Sequence, residues 1–387
     1  MTVNEHHTNK HDHSFNDRRA MLAGIGGLAA GALLTGSAKA GPLDPPPGPI
    51  VPTGKPLNEL EPRIPINAQN TPGDADSMFK IIAPGSYYLT GNIVGLVNKH
   101  GIKVAASAVT IDLGGFMLRG LGTIQGDFDG IYAEDGRERI TIRNGYIEVM
   151  GRYGINLGSA TDCVVEDINA KLCLNSGISS GVRASVIRCI ASDNTSGGIF
   201  AGEGSRVYAC RATGNSRGFG VSSDSLVDDC LSVGNVFNGF AVGGRVTNCI
   251  AKENGGIGFE SFGTTSFIGC VAVNNGSNGI LVSNNSRVIG NFCHGNGSSN
   301  AGIVVFGNGS HLESNLCIDN GCGIEVNDSG NFIFRNSCSG NDVNWSISFN
   351  NYYGPIINRA GINTSPVEGN FAPSTLTSTD PHANFTY

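Results

Sequence analysis

The densest run of chemistry-bearing side chains lies between residues 127 and 143: Asp127, Asp129, Glu134, Asp135, Arg137, Glu138, Arg139 and Arg143. Grouped carboxylates can hold a hard cation such as calcium, and neighbouring arginines can bind an anionic group. Asp127, Asp129, Glu134, Asp135, Arg137 and Arg139 are therefore the candidate binding residues, for a cation or a sugar. The competing reading is a charged loop with internal ion pairs. Asp228-Asp229 reads as a solvated turn paired with Arg188 or Arg211 on nearby coils. Eleven cysteines are present, but no C-x-x-C pair or Cys/His cluster, so no metal site is expected. No catalytic residue can be assigned.

These residues must be positioned by a repeat. A Gly-Ile or Gly-Phe pair recurs with its glycine at 101, 130, 154, 177, 198, 218, 239, 256, 279, 302 and 323, a period of roughly 22 residues. Trp345 after Asn344 extends the series. Within each unit runs V-x-x-C-x-A-x-x-N, as in Val246/Cys249/Ala251/Asn254 and Val207/Cys210/Ala212/Asn215. Three later units move the sulfur by two places, as in Val288/Asn291/Cys293/Asn296. Residues two apart share a face of a strand, so both columns line one interior. Asn194, Asn215, Asn235, Asn254, Asn275, Asn296, Asn320 and Asn341 read as an asparagine ladder at a bend. The glycines are expected to permit the next sharp corner.

Glycine, at 57 of 387 residues, is roughly twice as frequent as the usual ~7%. Between Pro84 and Pro355 there is no proline, as interior strands require. The expected fold is all-β: a single-stranded right-handed parallel β-helix of about 12 coils. Residues 57–83 are expected as an N-terminal cap, with a short helix around Ala75–Lys80. Coils are expected over 84–344 and a cap or tail over 345–387. Stacked thiols pointing the same way fit disulfide geometry poorly, so an unpaired ladder is expected, with Cys163–Cys173 the pair to watch.

The Asn-x(n)-Gly-Ile units of 101–345, Pro84-Gly-Ser-Tyr-Tyr-Leu-Thr-Gly-Asn92 and Val109-Thr-Ile-Asp-Leu-Gly-Gly115 resemble the right-handed parallel β-helix repeats of the pectate-lyase-like superfamily. The chain looks most like its exported bacterial members of uncharacterised function. The resemblance implies the fold and, for polysaccharide lyases, acidic calcium ligands and a basic residue on an outward strand face. The slot after Gly-Ile should form that face. It reads Lys103, Tyr132, Asn156, Ser179, Phe200, Gly220, Ala241, Gly258, Leu281, Val304 and Glu325. Such a mostly uncharged row speaks against an acidic cleft. The Gly-His-Gly of polygalacturonase-like hydrolases is absent. Asp380-Pro-His382 is similar to a fragment of the uronan epimerase motif, which Ala383 breaks.

The first 40 residues read as an address. Arg18–Arg19, an apolar run to Leu34 and Ala38-Lys39-Ala40 resemble a twin-arginine export signal. The run is shorter than the ~20 residues of a membrane span, so no stable span is expected in the mature protein. Residues 41–56 form a proline-rich linker. The net charge of −7, without a basic tract, argues against a nucleic-acid partner.

The expected function is therefore that of an exported β-helix, in the periplasm, at the cell surface or outside the cell, engaging polysaccharide or surface glycan. The alternatives are a lyase, hydrolase or epimerase on acidic glycan, and a structural envelope protein. No cofactor is expected, calcium entering only with a lyase. A further contact surface is expected along Ile190, Leu231, Ile250, Val271, Phe292 and Leu316, which should point outward as an apolar stripe.

Overall fold

The computed structural model describes residues 62–358 and 380–387. The export signal and linker expected from the sequence lie outside the described residues. Each coil carries three short strands, here called A, B and C. In one coil these are Gly197–Ala201, Arg206–Tyr208 and Arg211–Thr213. The next coil stacks on them in parallel register, with Ile199 against Phe219, Val207 against Val227 and Ala212 against Ser232. This is a parallel β-solenoid of about 14 turns, roughly 60 Å long at ~4.8 Å per rung.

The turns outnumber the expected 12 because strands precede the first marker glycine and because the C-terminal tail adds one. Ile64–Pro65 already pairs with Gly85–Tyr88. The helix expected around Ala75–Lys80 is absent. Ser77–Ile81 is a strand paired with His100–Val104, with Ser77 and Ile81 buried at its ends. A strand bonded to the first full coil satisfies backbone groups that an isolated helical turn would leave facing that coil. At the other end, Asn384–Thr386 pairs with both Ser337–Ser339 and Ile356–Asn358.

Two bends per coil explain the ladders. Arg188, Ala209, Asp229 and Asn248 have φ between 51° and 54°, and the next residue of each is a buried cysteine. Asp193, Gly214, Gly234, Glu253 and Asn274 make the second bend, with φ between 54° and 67°, before the buried asparagines. The left-handed conformation turns the chain, and the following side chain points in.

The asparagine amides satisfy the corner. Asn275 accepts from Asn254 through its backbone N–H at 3.2 Å and its Nδ2 at 2.9 Å. Its own Nδ2 donates to Ala251 O at 3.0 Å and to Asn296 Oδ1 at 2.9 Å. A second ladder, Asn291–Asn315–Asn336–Asn384, carries on the cysteine column. Phe219, Phe240 and Phe259 stack in the core at 4.7 and 4.8 Å. All eleven cysteines are unpaired, and all but half-buried Cys322 are buried. Cys163 and Cys173 are not bridged.

The marker glycines serve a purpose other than the expected one. None has positive φ. A Cβ on Gly198 would lie 2.6 Å from Gly218 O, and one on Gly239 would lie 2.7 Å from Gly258 O. The repeat demands glycine because adjacent coils approach too closely for a side chain. The same contact relocates one marker. Gly239 meets Gly258, not Gly256, and Phe240 pairs with Phe259.

Candidate functional site

Outward side chains of the A strands form a continuous row along the rod. The register sets Lys80 beside Lys103, then Tyr132, Asn156, Ser179 and Phe200. It continues through Gly220, Ala241 and Glu260 to Leu281. Glu260 replaces Gly258 in the slot, since the Gly-Phe pair begins at 258. Glu260 accepts from Asn238 Nδ2 at 2.6 Å.

The charged end of this row gathers residues that are distant in sequence. Lys103 Nζ lies 2.8 Å from Asp76 Oδ1, 3.5 Å from Asp74 Oδ2 and 3.7 Å from Glu134 Oε1. Lys80 lies 3.0 Å from Asp74 and 3.5 Å from Glu134. Arg137 Nη2 donates to Glu134 Oε2 at 3.1 Å. Burial opposes the charge on Glu134, but Arg137, Lys80 and Lys103 outweigh it and hold its carboxyl below the usual range. Burial likewise opposes the charge on Lys103, and the surrounding carboxylates, Asp76 first, raise its pKa. Three carboxylates and three cations thus balance. A calcium ion would have to displace lysines or an arginine from every carboxylate. This cluster pins successive coils together.

Asp129 belongs to a second group. It is fully buried, lies 3.0 Å from Arg152 Nε, and accepts from Tyr153 N and Asn156 Nδ2 at 3.0 Å each. The Asp129 N–H donates to His100 Nδ1 at 2.9 Å, which leaves the imidazole as the neutral Nε2–H tautomer. Its 3.7 Å approach to the Asp129 carboxylate is then no ion pair. Burial lowers the His100 pKa in spite of that carboxylate. The ring stacks on Tyr132 at 4.7 Å.

The six candidates from the sequence therefore scatter. Glu134 and Arg137 join one cluster and Asp129 the other. Asp127 and Asp135 are exposed, with no hydrogen-bonded partner for their carboxylates among the described residues. Arg139 turns to Glu138 at 2.6 Å. The charged loop is partly tucked in at its start, where Gln125 of the 3-10 turn Gly122–Gln125 is buried and donates to Lys99 O. Asp74, Asp76, Lys80 and His100 were missed. Lys80 occupies the same outward slot as Lys103 one coil earlier, a signal hidden by the missing marker glycine.

The middle of the row is uncharged. A Cβ at Gly220 would meet Phe200 ring atoms at 2.2 Å, so the ring lies over Gly220 on the next coil. Beside it runs a groove of about 320 Å³ lined by Ser179, Ser180, Gly202 and Phe262, and Phe262 is 54% exposed. An outward aromatic ring flanked by hydroxyls can receive the apolar face of a pyranose and bond its rim.

On the C strands, Ile190, Leu231, Ile250, Val271, Phe292 and Leu316 share one outward column. Ile190 and Ile250 are 42% and 39% exposed, and the others are half-buried. The described C-terminal tail does not cover them, since Phe385 extends the column beyond Ser337.

Architecture and register define a parallel β-helix. The family model for the right handed beta helix region matches residues 81–237 and 129–292, more than half of the chain, and the protein belongs to that family. Among solved structures the chain is similar to the Dettilon tailspike protein gp208, at 17% identity over 67% of this chain, with TM-score 0.44. It spans only 58% of the tailspike. It is also similar to the A-module of Azotobacter vinelandii mannuronan C-5 epimerase AlgE4, at 15% identity over 75% of this chain and 90% of the module, with TM-score 0.49. Pectate lyase Pel9A is similar at 20% identity over 71% of this chain and 69% of the lyase, with TM-score 0.28. No curated protein matches the sequence. Among the described residues no helix is long and apolar enough to cross a membrane.

Proposed function

We propose that the protein is an exported β-helix rod that binds polysaccharide along the outward face of its A strands. The observation that carries this reading is the Phe200 ring lying over Gly220, with Phe262 and Ser179 beside it. Tyr132 and Asn156 extend the same face toward the charged end. Export is supported by Arg18–Arg19, the apolar run and Ala38-Lys39-Ala40.

A catalytic reading, as lyase, hydrolase or epimerase on acidic glycan, has one observation in its favour. The neutral His100 imidazole and Tyr132 stack at 4.7 Å, where a glycan lying along the row would arrive. The test exposes residues 41–387 to uronate-containing and neutral polysaccharides, with calcium and with chelator. Binding and the absorbance of unsaturated product are followed together. Binding without product, weakened about tenfold in Phe200→Ala (about 1.4 kcal/mol), is the expected result. Unchanged binding in that variant rejects the Phe200 face, and product lost on chelation would instead establish a calcium-dependent lyase.

A further inference from the structure

Most arginines of the solenoid are paired. Arg183 lies 2.7 Å from Asp162, Arg188 2.7 Å from Asp167, and Arg335 2.9 Å from Glu313. Arg206, Arg245 and Arg287 have no carboxylate within ion-pair distance among the described residues. All three are exposed and occupy one outward column of the B strands. The register runs Arg206, Leu226, Arg245, Ser266, Arg287. A guanidinium therefore recurs at every second rung, ~9.6 Å apart. The Arg206 guanidinium is held over the Tyr208 ring at 5.2 Å. Between Arg206 and Arg245 lies a hollow of about 240 Å³ lined by Leu226, Asp228 and Thr247.

We propose that this column is a track for a linear acidic polysaccharide, laid along the rod, that carries one carboxylate or sulfate per disaccharide. Two rungs of the solenoid are comparable in length to a disaccharide in an extended chain. A regular polymer can therefore present its anion to each arginine in turn, with forked hydrogen bonds. The intervening neutral sugar meets Leu226, which is 51% exposed, or Ser266. Asp228, which accepts from Thr247 Oγ1 at 2.5 Å, has acceptor capacity left for a sugar hydroxyl and repels a second anion in the hollow. Duplex DNA, with a charge every ~1.7 Å, would crowd phosphates against that carboxylate. The track lies on a different strand stack from Phe200, so it goes beyond the reading above and fails independently of it.

The test measures binding of the full chain to hyaluronan, with one carboxylate per disaccharide, and to polygalacturonate, dextran and duplex DNA. Hyaluronan should bind tightest of the four and weaken with added salt. Arg206→Ala, Arg245→Ala and Arg287→Ala should each cost about two- to fivefold and flatten the salt slope by ~1. Arg245→Lys should retain part of the affinity, and Arg217→Ala, an exposed arginine on an A strand, should change nothing. A triple alanine variant with wild-type circular dichroism and wild-type hyaluronan affinity would overturn the track. So would equal binding to dextran, preference for DNA, or no hyaluronan binding by the parent protein. Phe200→Ala should leave the arginine dependence intact.

Discussion

At the residue scale, position within the coil decides what each polar or sulfur-bearing side chain can do. Asp228 is an example. The sequence suggested pairing with Arg188 or Arg211, but Arg188 is taken by Asp167 and Glu166, and Arg211 bonds Thr213. The cysteines illustrate burial. Desolvation pushes the Cys173 thiol up to about 12 and that of Cys322 up to about 11, against ~8.5 in an unfolded chain. Native protein at neutral pH should therefore yield no more than one quickly reacting thiol, Cys322, to an aromatic disulfide reagent, and eleven in denaturant without reductant. Fewer than eleven would reveal a disulfide. The same shifts fix the sign of an alkaline effect. Above ~8.5 the unfolded chain loses thiol protons that the folded chain keeps. The contribution to stability is full below that pH and shrinks as pH rises toward the folded values. The urea midpoint should fall between pH 8 and 10, and fall less in Cys322→Ala.

At the scale of the element, the ladders require each strand to arrive with its asparagine in register. The C-terminal strand Asn384–Thr386 shows how much one short element carries. Asn384 Oδ1 accepts from Asn336 N at 3.0 Å and from its Nδ2 at 3.3 Å, and Asn384 Nδ2 donates to Ile333 O and Gly354 O. Trp345 Nε1 donates to Thr386 Oγ1 at 2.8 Å. Asn384→Ala leaves buried groups unsatisfied and should cost about 1–3 kcal/mol, read as a lower denaturation midpoint. A midpoint equal to wild type would mean that the tail does not close the solenoid. The ladder was legible in the sequence because the V-x-x-C-x-A-x-x-N spacing repeats. The tail strand was not, because Asn384 returns to the stack some 48 residues after Asn336 in sequence, outside any period.

At the scale of the whole molecule, each coil touches chiefly the coils on either side, so stability is close to a sum over neighbours. Removing residues 258–278 joins Ile257 to Gly279 and brings Ile280 into the place of Phe259, against Phe240. The shortened protein should retain its β circular dichroism and a cooperative transition at a lower midpoint. Loss of all structure would show that the rod depends on long-range order. The same modularity gives the rod three outward faces of different chemistry. Phe200 lies on the A strands, the unpaired arginines on the B strands and the apolar column on the C strands, while the interior stays constant.

The all-β solenoid, its period, the inward cysteine and alanine columns and the asparagine ladder follow from the sequence alone, because a stacked coil imposes the same constraint at each turn. Functional placement does not repeat and had to be read from the structure. Asp129 and Glu134 lie close in sequence, yet one is sealed beside His100 and Arg152 and the other ties Lys80 to Lys103. Which rung faces which was decided by backbone contact. The approach of Gly239 to Gly258 sets Glu260 in the outward row, and the B-strand pairing sets Arg206, Arg245 and Arg287 in line. Loops of uneven length hide that alignment from any fixed spacing, and only the stacking of the coils makes it visible.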